Sequence, residues 1–322
     1  MQLRILSREY SRVSRMSDLS VSENVSLRSF STFRTGGPAK YFAEPSNEDE
    51  LTQAFAFARE KGLEVFVLGN GSNCLISDNG FDGLVIRIGK QMGQISSEEG
   101  PDGLTYVTAG AGCLLSRFGN FCADLGLEGA EFACGIPGTV GGAVFMNAGA
   151  YGREIKDIAV SVRYWEDGEI KEISASECGF AYRASIFDRK NANGSNAVIL
   201  SLKAAMPKGD REKILAYCEE LRQKRTASQP LDVPSAGSTF KRPEGHFAAK
   251  LIEDSGLKGF ALDDSGAQVS PKHAGFVVNN NGTAKAEDIL KLIDYISGKV
   301  YEDSGVRLEK EVRLIGEFGG KR

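Results

Sequence analysis

Short apolar runs of strand length alternate with stretches at helical spacing along the first part of this chain. Ala39–Ala43, Glu64–Leu68 and Leu84–Ile88 predict strands. Between the first two, Leu51, Ala54, Phe55 and Ala58 recur at helical spacing. Ser46 or Asn47 caps that helix, Glu48, Asp49 and Glu50 sit in its first turn, and Gly62 closes it. Strand, helix and strand read as a small α/β lobe. From Thr105 the pattern is sheet-rich. Thr105–Ala109 predicts a strand, and Leu114, Leu115, Phe118, Cys122 and Leu125 the inward face of a helix ending at Gly126. Ala159–Trp165 and Glu169–Ile173, joined by Glu166-Asp167-Gly168, predict a hairpin, and Ala197–Ala205 another strand. Asp210 opens a charged helix to near Arg225, with Ile214, Tyr217, Cys218 and Leu221 as its stripe. A short helix over Phe247–Asp254, closed by Gly256, and a strand over Gly275–Asn279 follow. Thr283 caps a helix bearing Ile289, Leu292, Ile293, Ile296 and Val300, which ends at Gly305, and Val306–Ile315 predicts the final strand.

This pattern divides the chain into an arginine-rich extension at 1–17, expected to be disordered, and lobes at 18–83, 84–208 and 209–308. The 322 residues suffice for two or three domains. Hydrophobic residues at 41% and charged residues at 25% are ordinary for a soluble protein. A net charge of −4 argues against broad nucleic-acid binding. No apolar run is long enough to span a bilayer, and no apolar core follows the N-terminal basic residues as in a secretory signal. The six cysteines lack metal-ligand spacing and read as reduced, buried thiols of a cytoplasmic protein. His246 and His273 are the only histidines, so a histidine metal site or a Ser-His-Asp triad is poorly supplied, and no metal is expected.

The densest signal is Gly129–Gly152, with seven glycines and, apart from Glu131, no charge. Glycine at this density disfavours helix and strand and admits close approach to the backbone. Pro137 stiffens the turn between Gly135 and Gly138, leaving the amides of Gly138, Thr139, Gly141 and Gly142 to face an anion. A second glycine loop, Gly69-Asn70-Gly71-Ser72-Asn73, leaves the end of a predicted strand, where α/β sheets bind ligands. Taken alone it equals an ordinary turn; paired with the first it suggests one dinucleotide shared by both. Neither loop is a P-loop or a GxGxxG fingerprint.

Several segments occur in one order: Thr32-Phe-Arg-Thr-Gly-Gly37, Leu68-Gly-Asn-Gly-Ser-Asn73, Gly135-Ile-Pro-Gly-Thr-Val-Gly-Gly142, Tyr182-Arg-Ala-Ser185, Ser235-Ala-Gly-Ser-Thr-Phe-Lys-Arg-Pro243, Lys272-His-Ala-Gly-Phe276 and Glu311-Val-Arg313. From about Leu27 onward the chain resembles the UDP-N-acetylenolpyruvoylglucosamine reductase family of peptidoglycan precursor synthesis. The resemblance implies an α+β fold of the vanillyl-alcohol-oxidase type. Two lobes would hold FAD, a third the UDP-sugar, and the C-terminal residues 309–322 would return to the first lobe. It implies that Gly69, Asn70, Gly71, Ser72, Asn73, Cys74 and Leu75 bind FAD, together with Gly135, Ile136, Pro137, Gly138, Thr139, Gly141, Gly142 and Ala143. The loops lack the histidine that tethers flavin in some relatives, so FAD is expected to be non-covalent.

The implied reaction moves a hydride from NADPH to FAD and then to the enolpyruvyl group of UDP-N-acetylglucosamine enolpyruvate. Negative charge then builds beside the carboxylate and needs a fixed cation. Arg183 matches the family's catalytic arginine, Ser238 its proton donor and Glu311 the glutamate that holds and polarises the intermediate. Lys241, Arg242 and Lys272 are candidates for the diphosphate, and Tyr182 for contact with the substrate. Many relatives carry proline where Lys310 stands. The working unit is expected to be a monomer. Two other readings stay open: an FAD-dependent oxidase of another alcohol or sugar, and a non-enzymatic nucleotide-binding module.

Overall fold

The computed structural model describes residues 19–192, 194 and 196–319; the extension expected at 1–17 lies outside them. In chain order the elements are β1 (Val21–Ser26), β2 (Pro38–Ala43), α1 (Glu48–Glu60), β3 (Val65–Leu68), β4 (Cys74–Ile76), β5 (Phe81–Arg87), β6 (Ile95–Glu99), β7 (Thr105–Gly110), α2 (Leu115–Asp124), α3 (Val140–Phe145), β8 (Gly149–Ala150), β9 (Arg153–Glu154), β10 (Ala159–Glu166), β11 (Glu169–Ser174), α4 (Ile186–Ala192), β12 (Val198–Met206), α5 (Arg211–Ser228), α6 (Ala248–Asp254), β13 (Ala267–Val269), β14 (Val277–Asn279), α7 (Ala286–Ser304) and β15 (Arg313–Ile315).

The first sheet has the order β1-β2-β5-β3, with β2, β5 and β3 parallel. Its strands β2 and β3 are joined by α1, whose Leu51, Ala54, Phe55 and Ala58 are buried as their spacing predicts. Asn47 is the cap, its side chain accepting from the Glu50 amide. β5 runs across the boundary expected at 83–84, so the first sheet draws on both sides of it. The second sheet, β11-β10-β12-β7-β6, is antiparallel throughout and contains the predicted hairpin. One core spans both sheets. The Phe55 ring stacks on Trp165 at 4.2 Å, and the Trp165 indole donates to Thr52 Oγ1 at 3.0 Å. Aromatic pairing of this kind adds roughly 0.5–1.5 kcal/mol beyond area burial.

The third group packs α6 and α7 against the β13–β14 pair, with Ile289, Leu292, Ile293, Ile296 and Val300 at its centre. The chain then returns, and β15 lies parallel to β4 with Arg313 opposite Cys74. Leu75 packs into the third core, while Ile76 and Ile315 pack with the first sheet. β4 and β15 therefore seam the third core to the first lobe.

Several sequence expectations are corrected. β1 and β4 carry too few alternating apolar residues to stand out, and pairing with β2 and β15 makes them strands. Leu114 and Leu125 are exposed; Leu115, Phe118 and Cys122 form the inward face of α2, because the helix begins one residue later and Leu125 is its C-cap. Tyr217 is also exposed and donates nothing to the stripe of α5. Lys285, not Thr283, precedes the first turn of α7; Thr283 Oγ1 donates instead to the Ser265 carbonyl. The final strand is confined to Arg313–Ile315, because the preceding residues bond to the Ser238–Lys241 segment rather than to a ladder.

Candidate active site

The glycine-rich stretch is more ordered than its composition implies. Glu131–Gly135 is a 3-10 helix, Gly135–Thr139 a turn, and Val140–Phe145 an α-helix despite Gly141 and Gly142. The Thr139 hydroxyl caps α3 by accepting from the Gly142 amide at 3.3 Å. The Gly141 amide donates to the Ala111 carbonyl, and a Cβ on Gly141 would stand 2.9 Å from that of Ala111. Gly141 and Gly142 thus serve helix packing and capping, and their amides do not face an open site, contrary to expectation.

The turn itself meets the second glycine loop. Ser72 Oγ donates to the Pro137 carbonyl at 3.4 Å. Gly138 lies at φ +120° and a Cβ there would come within 2.9 Å of Ser72 Oγ. Gly71, at φ +61°, carries its backbone so close to Phe30 that a Cβ would fall 1.9 Å from the Phe30 carbonyl oxygen. Two bare-backbone turns therefore abut near the end of β3, where Gly71 packs on the Phe30 carbonyl and Gly138 on Ser72. The amides of Gly138 and Thr139, unlike those of Gly141 and Gly142, make no hydrogen bond among the described residues, the property an anion-binding turn needs. Cys74 and Leu75, expected beside the flavin, lie in β4 with their side chains buried.

Arg183 and Glu311 are brought together from sites far apart in the chain. Arg183 Nε donates to Glu311 Oε1 at 2.9 Å. Arg183 stands at the tip of a tight turn in which Ala181 and Ala184 exchange backbone hydrogen bonds at 3.0 and 3.2 Å. Its φ is +54°, a left-handed conformation a non-glycine residue adopts at some cost. Buried Asn147 holds the turn from below, its Nδ2 donating to the Ala181 carbonyl at 3.0 Å. The Arg183 guanidinium also donates to the Gly149 carbonyl at 3.3 Å.

Glu311 is anchored on two sides. Its amide donates to the Thr239 carbonyl at 2.9 Å, and its carbonyl accepts from Asn73 Nδ2 at 3.0 Å. The first bond places Ser238, which is exposed, in the peptide next to Glu311's partner. The second ties Glu311 to the end of the Gly69–Asn73 loop. Burial pushes the Glu311 carboxyl above the usual carboxylate range, opposed by the charges of Arg183 and Lys241.

The remaining predicted residues separate into two places. The Tyr182 hydroxyl accepts from the Arg242 amide at 3.1 Å, and the Tyr182 ring faces Arg183 at 5.3 Å. Lys241 pairs with Glu309, and both line a pocket of about 420 Å³ between Lys241–His246 and Val306–Glu309. Lys272 is not in that pocket; its ammonium donates to the Thr226 carbonyl near the end of α5 at 2.6 Å. Sequence reasoning missed Asn147, Gly149 and Thr239. Asn147 lies inside the glycine-rich stretch and adopts φ +46°, a conformation asparagine tolerates, so its residue type was the available signal.

Comparison with known proteins fits this geometry. Residues 39–174 match the sequence model of an FAD binding domain, and residues 229–315 that of the UDP-N-acetylenolpyruvoylglucosamine reductase C-terminal domain. UDP-N-acetylenolpyruvoylglucosamine reductase of Agathobacter rectalis is 45% identical over 308 residues, covering 93% of this chain and 95% of that protein. The chain belongs to the UDP-N-acetylenolpyruvoylglucosamine reductase family. The Clostridioides difficile reductase is 43% identical over 316 residues, covering 98% of this chain and 96% of its own. The crystal structure of the family member from Thermus caldophilus superposes with a TM-score of 0.77 at 33% identity, covering 92% of this chain and 99% of that one. The α+β FAD-binding fold and an FAD cofactor follow from membership and from the match to residues 39–174. Among the described residues no helix is long and apolar enough to cross a membrane, and no cluster of three or more His, Cys, Asp or Glu could hold a metal ion.

Proposed function

We propose that this protein reduces the enolpyruvyl group of UDP-N-acetylglucosamine enolpyruvate to give UDP-N-acetylmuramate for peptidoglycan synthesis, with NADPH as reductant. The observation that carries the mechanism is the Arg183–Glu311 ion pair, held one peptide away from Ser238 and bonded to the end of the flavin loop. Bound FAD would supply the hydride-transfer chemistry that links NADPH to the enolpyruvyl double bond. The abutting turns Gly69–Asn73 and Gly135–Thr139 would hold it through backbone amides.

The chain's own side chains handle the charge and the proton. Arg183 is fixed by Glu311 and Gly149, so its cation faces developing negative charge without reorganising. Its partner Glu311 orients it and polarises the intermediate. Ser238 gives its hydroxyl proton to the carbanionic carbon. A serine is a weak acid, and the basicity of that carbon, with Lys241 and Arg242 close in sequence, drives the transfer. Lys241, Arg242 and Tyr182 form one connected group suited to the substrate's diphosphate and sugar. Lys272 is proposed for the same diphosphate, reached from the α5 side. A monomer is proposed as the working unit, and the cytoplasm, where nucleotide precursors and NADPH are available, as its location.

Anaerobic stopped-flow absorbance tests the assignment. Wild-type protein should be yellow, bleach with NADPH and recover with the enolpyruvyl sugar. Ser238→Ala should bleach at the wild-type rate and recover at least ~100-fold more slowly, the scale of a lost general acid. Equal slowing of both halves would remove Ser238 from its role. Recovery with oxygen but not with the sugar would establish an oxidase instead.

A further inference from the structure

Outside this site, two thiols are placed together. Cys134 closes the 3-10 helix that runs directly into Gly135, and Cys218 lies on the buried face of α5, 84 residues away. Their sulfurs are 2.9 Å apart, closer than two sulfurs in ordinary contact and longer than a bond of about 2.05 Å. Ala123, Ile214 and Leu215 enclose them in a small apolar cluster, separate from the main core. The other four cysteines are also buried, but none is in sulfur–sulfur contact among the described residues.

We infer that Cys134 and Cys218 are a reversible dithiol–disulfide pair that straps α5 to the flavin loop when a hydroperoxide oxidises it. The two sulfurs already sit within reach of a bond, so closure needs only a small adjustment. The fold points to Cys218 as the attacking sulfur, because it lies on the thinly attached α5 while Cys134 follows Phe132 and Ala133, which are buried in the main core. The two thiols share one hydrogen bond in which either sulfur can donate, and the charge of Arg222, one helical turn along α5 from Cys218, favours the thiolate of either. Access follows from the thin attachment of α5, in which only Ile214, Cys218 and Leu221 of 18 residues are buried, so local opening exposes the pair.

The chemistry balances with hydrogen peroxide. The Cys218 sulfur attacks one peroxide oxygen, the O–O bond breaks and one water leaves, giving a sulfenic acid. The Cys134 sulfur then attacks the Cys218 sulfur, the S–O bond breaks, the S–S bond forms and a second water leaves. The two thiols lose two electrons and the peroxide gains them, and a dithiol reductant reverses the change. The strap matters because α5 leads into the segment that carries Ser238, and Cys134 adjoins the Gly135–Gly138 turn. The oxidised protein holds these two parts of the site at a fixed separation.

The test uses the FAD-loaded full-length protein, treated with hydrogen peroxide and then labelled with N-ethylmaleimide in denaturant. The expected result is that two of the six thiols escape labelling and the peptide of Cys134 is recovered linked to that of Cys218, a link that dithiothreitol removes. Full labelling of all six thiols, or a link that involves Cys122 instead, would overturn the inference. In Cys134→Ser, dimedone should trap a sulfenic acid at Cys218; trapping at Cys134 in Cys218→Ser, with none at Cys218 in the first variant, would overturn the assignment of Cys218 as the attacking sulfur.

Discussion

At the residue scale, the site is governed by what surrounds Glu311. Burial raises its pKa and Arg183 restrains the rise. Replacing Arg183 by Ala should move the Glu311 titration further up, which carbon NMR of labelled glutamate would read; an unchanged titration would mean the ion pair does not form in solution. The sign for stability follows. A carboxyl whose folded pKa lies above its unfolded value contributes stability that is fully present below the unfolded pKa and is lost as pH rises through the folded one. Wild type should therefore lose stability relative to Glu311→Gln on going from acid toward neutral pH, measured as paired urea midpoints. Gly71 is the second residue-scale case. A methyl there would strike the Phe30 carbonyl and sit at φ +61°. Gly71→Ala should cost about 3 kcal/mol and release FAD during gel filtration.

At the scale of elements, sequence periodicity succeeded where one face is buried in one core. α7 presents Ile289, Leu292, Ile293, Ile296 and Val300 at helical spacing, and all are buried. Ile293 is fully buried at its centre, so Ile293→Ala should destabilise by roughly 3 kcal/mol, read from the urea midpoint, with the NADPH half-reaction of the folded fraction unchanged. Short elements were not legible. β4 has three residues, and its existence depends on β15 pairing with it from the far end of the chain. α3 tolerates two glycines because Thr139 caps it and Ala111 leaves room only for hydrogen at Gly141.

At the scale of the whole molecule, the return of the C-terminus closes the site. Asn73 accepts from the Arg313 amide through its carbonyl and donates to the Glu311 carbonyl, so the Gly69–Asn73 loop and Glu311 are positioned by one residue. Ending the chain at Val312 removes β15 and uncovers the edge of β4. That truncation should lose FAD on dilution, seen as a fall in flavin absorbance per protein. Arg313→Ala keeps the strand and deletes a half-exposed pair with Asp188 and a guanidinium contact over the Phe145 ring, each worth about 1 kcal/mol or less, and should retain FAD. Equal flavin loss in both would show that the side chain, not the strand, holds the site.

Sequence alone determined the helices α1 and α7, the β10–β11 hairpin and the two glycine turns, because each follows from contacts or conformations local in the chain. Through the family's ordered segments it also pointed to Arg183, Ser238 and Glu311. The tertiary structure decided what they do to one another. Arg183 meets Glu311 across 128 residues, Ser238 is placed by its neighbour's bond to Glu311, and Lys272 lands by α5 instead of beside Lys241. Pairings over such separations depend on how the lobes pack, and hydrophobic period records which face of an element is buried without recording what it is buried against.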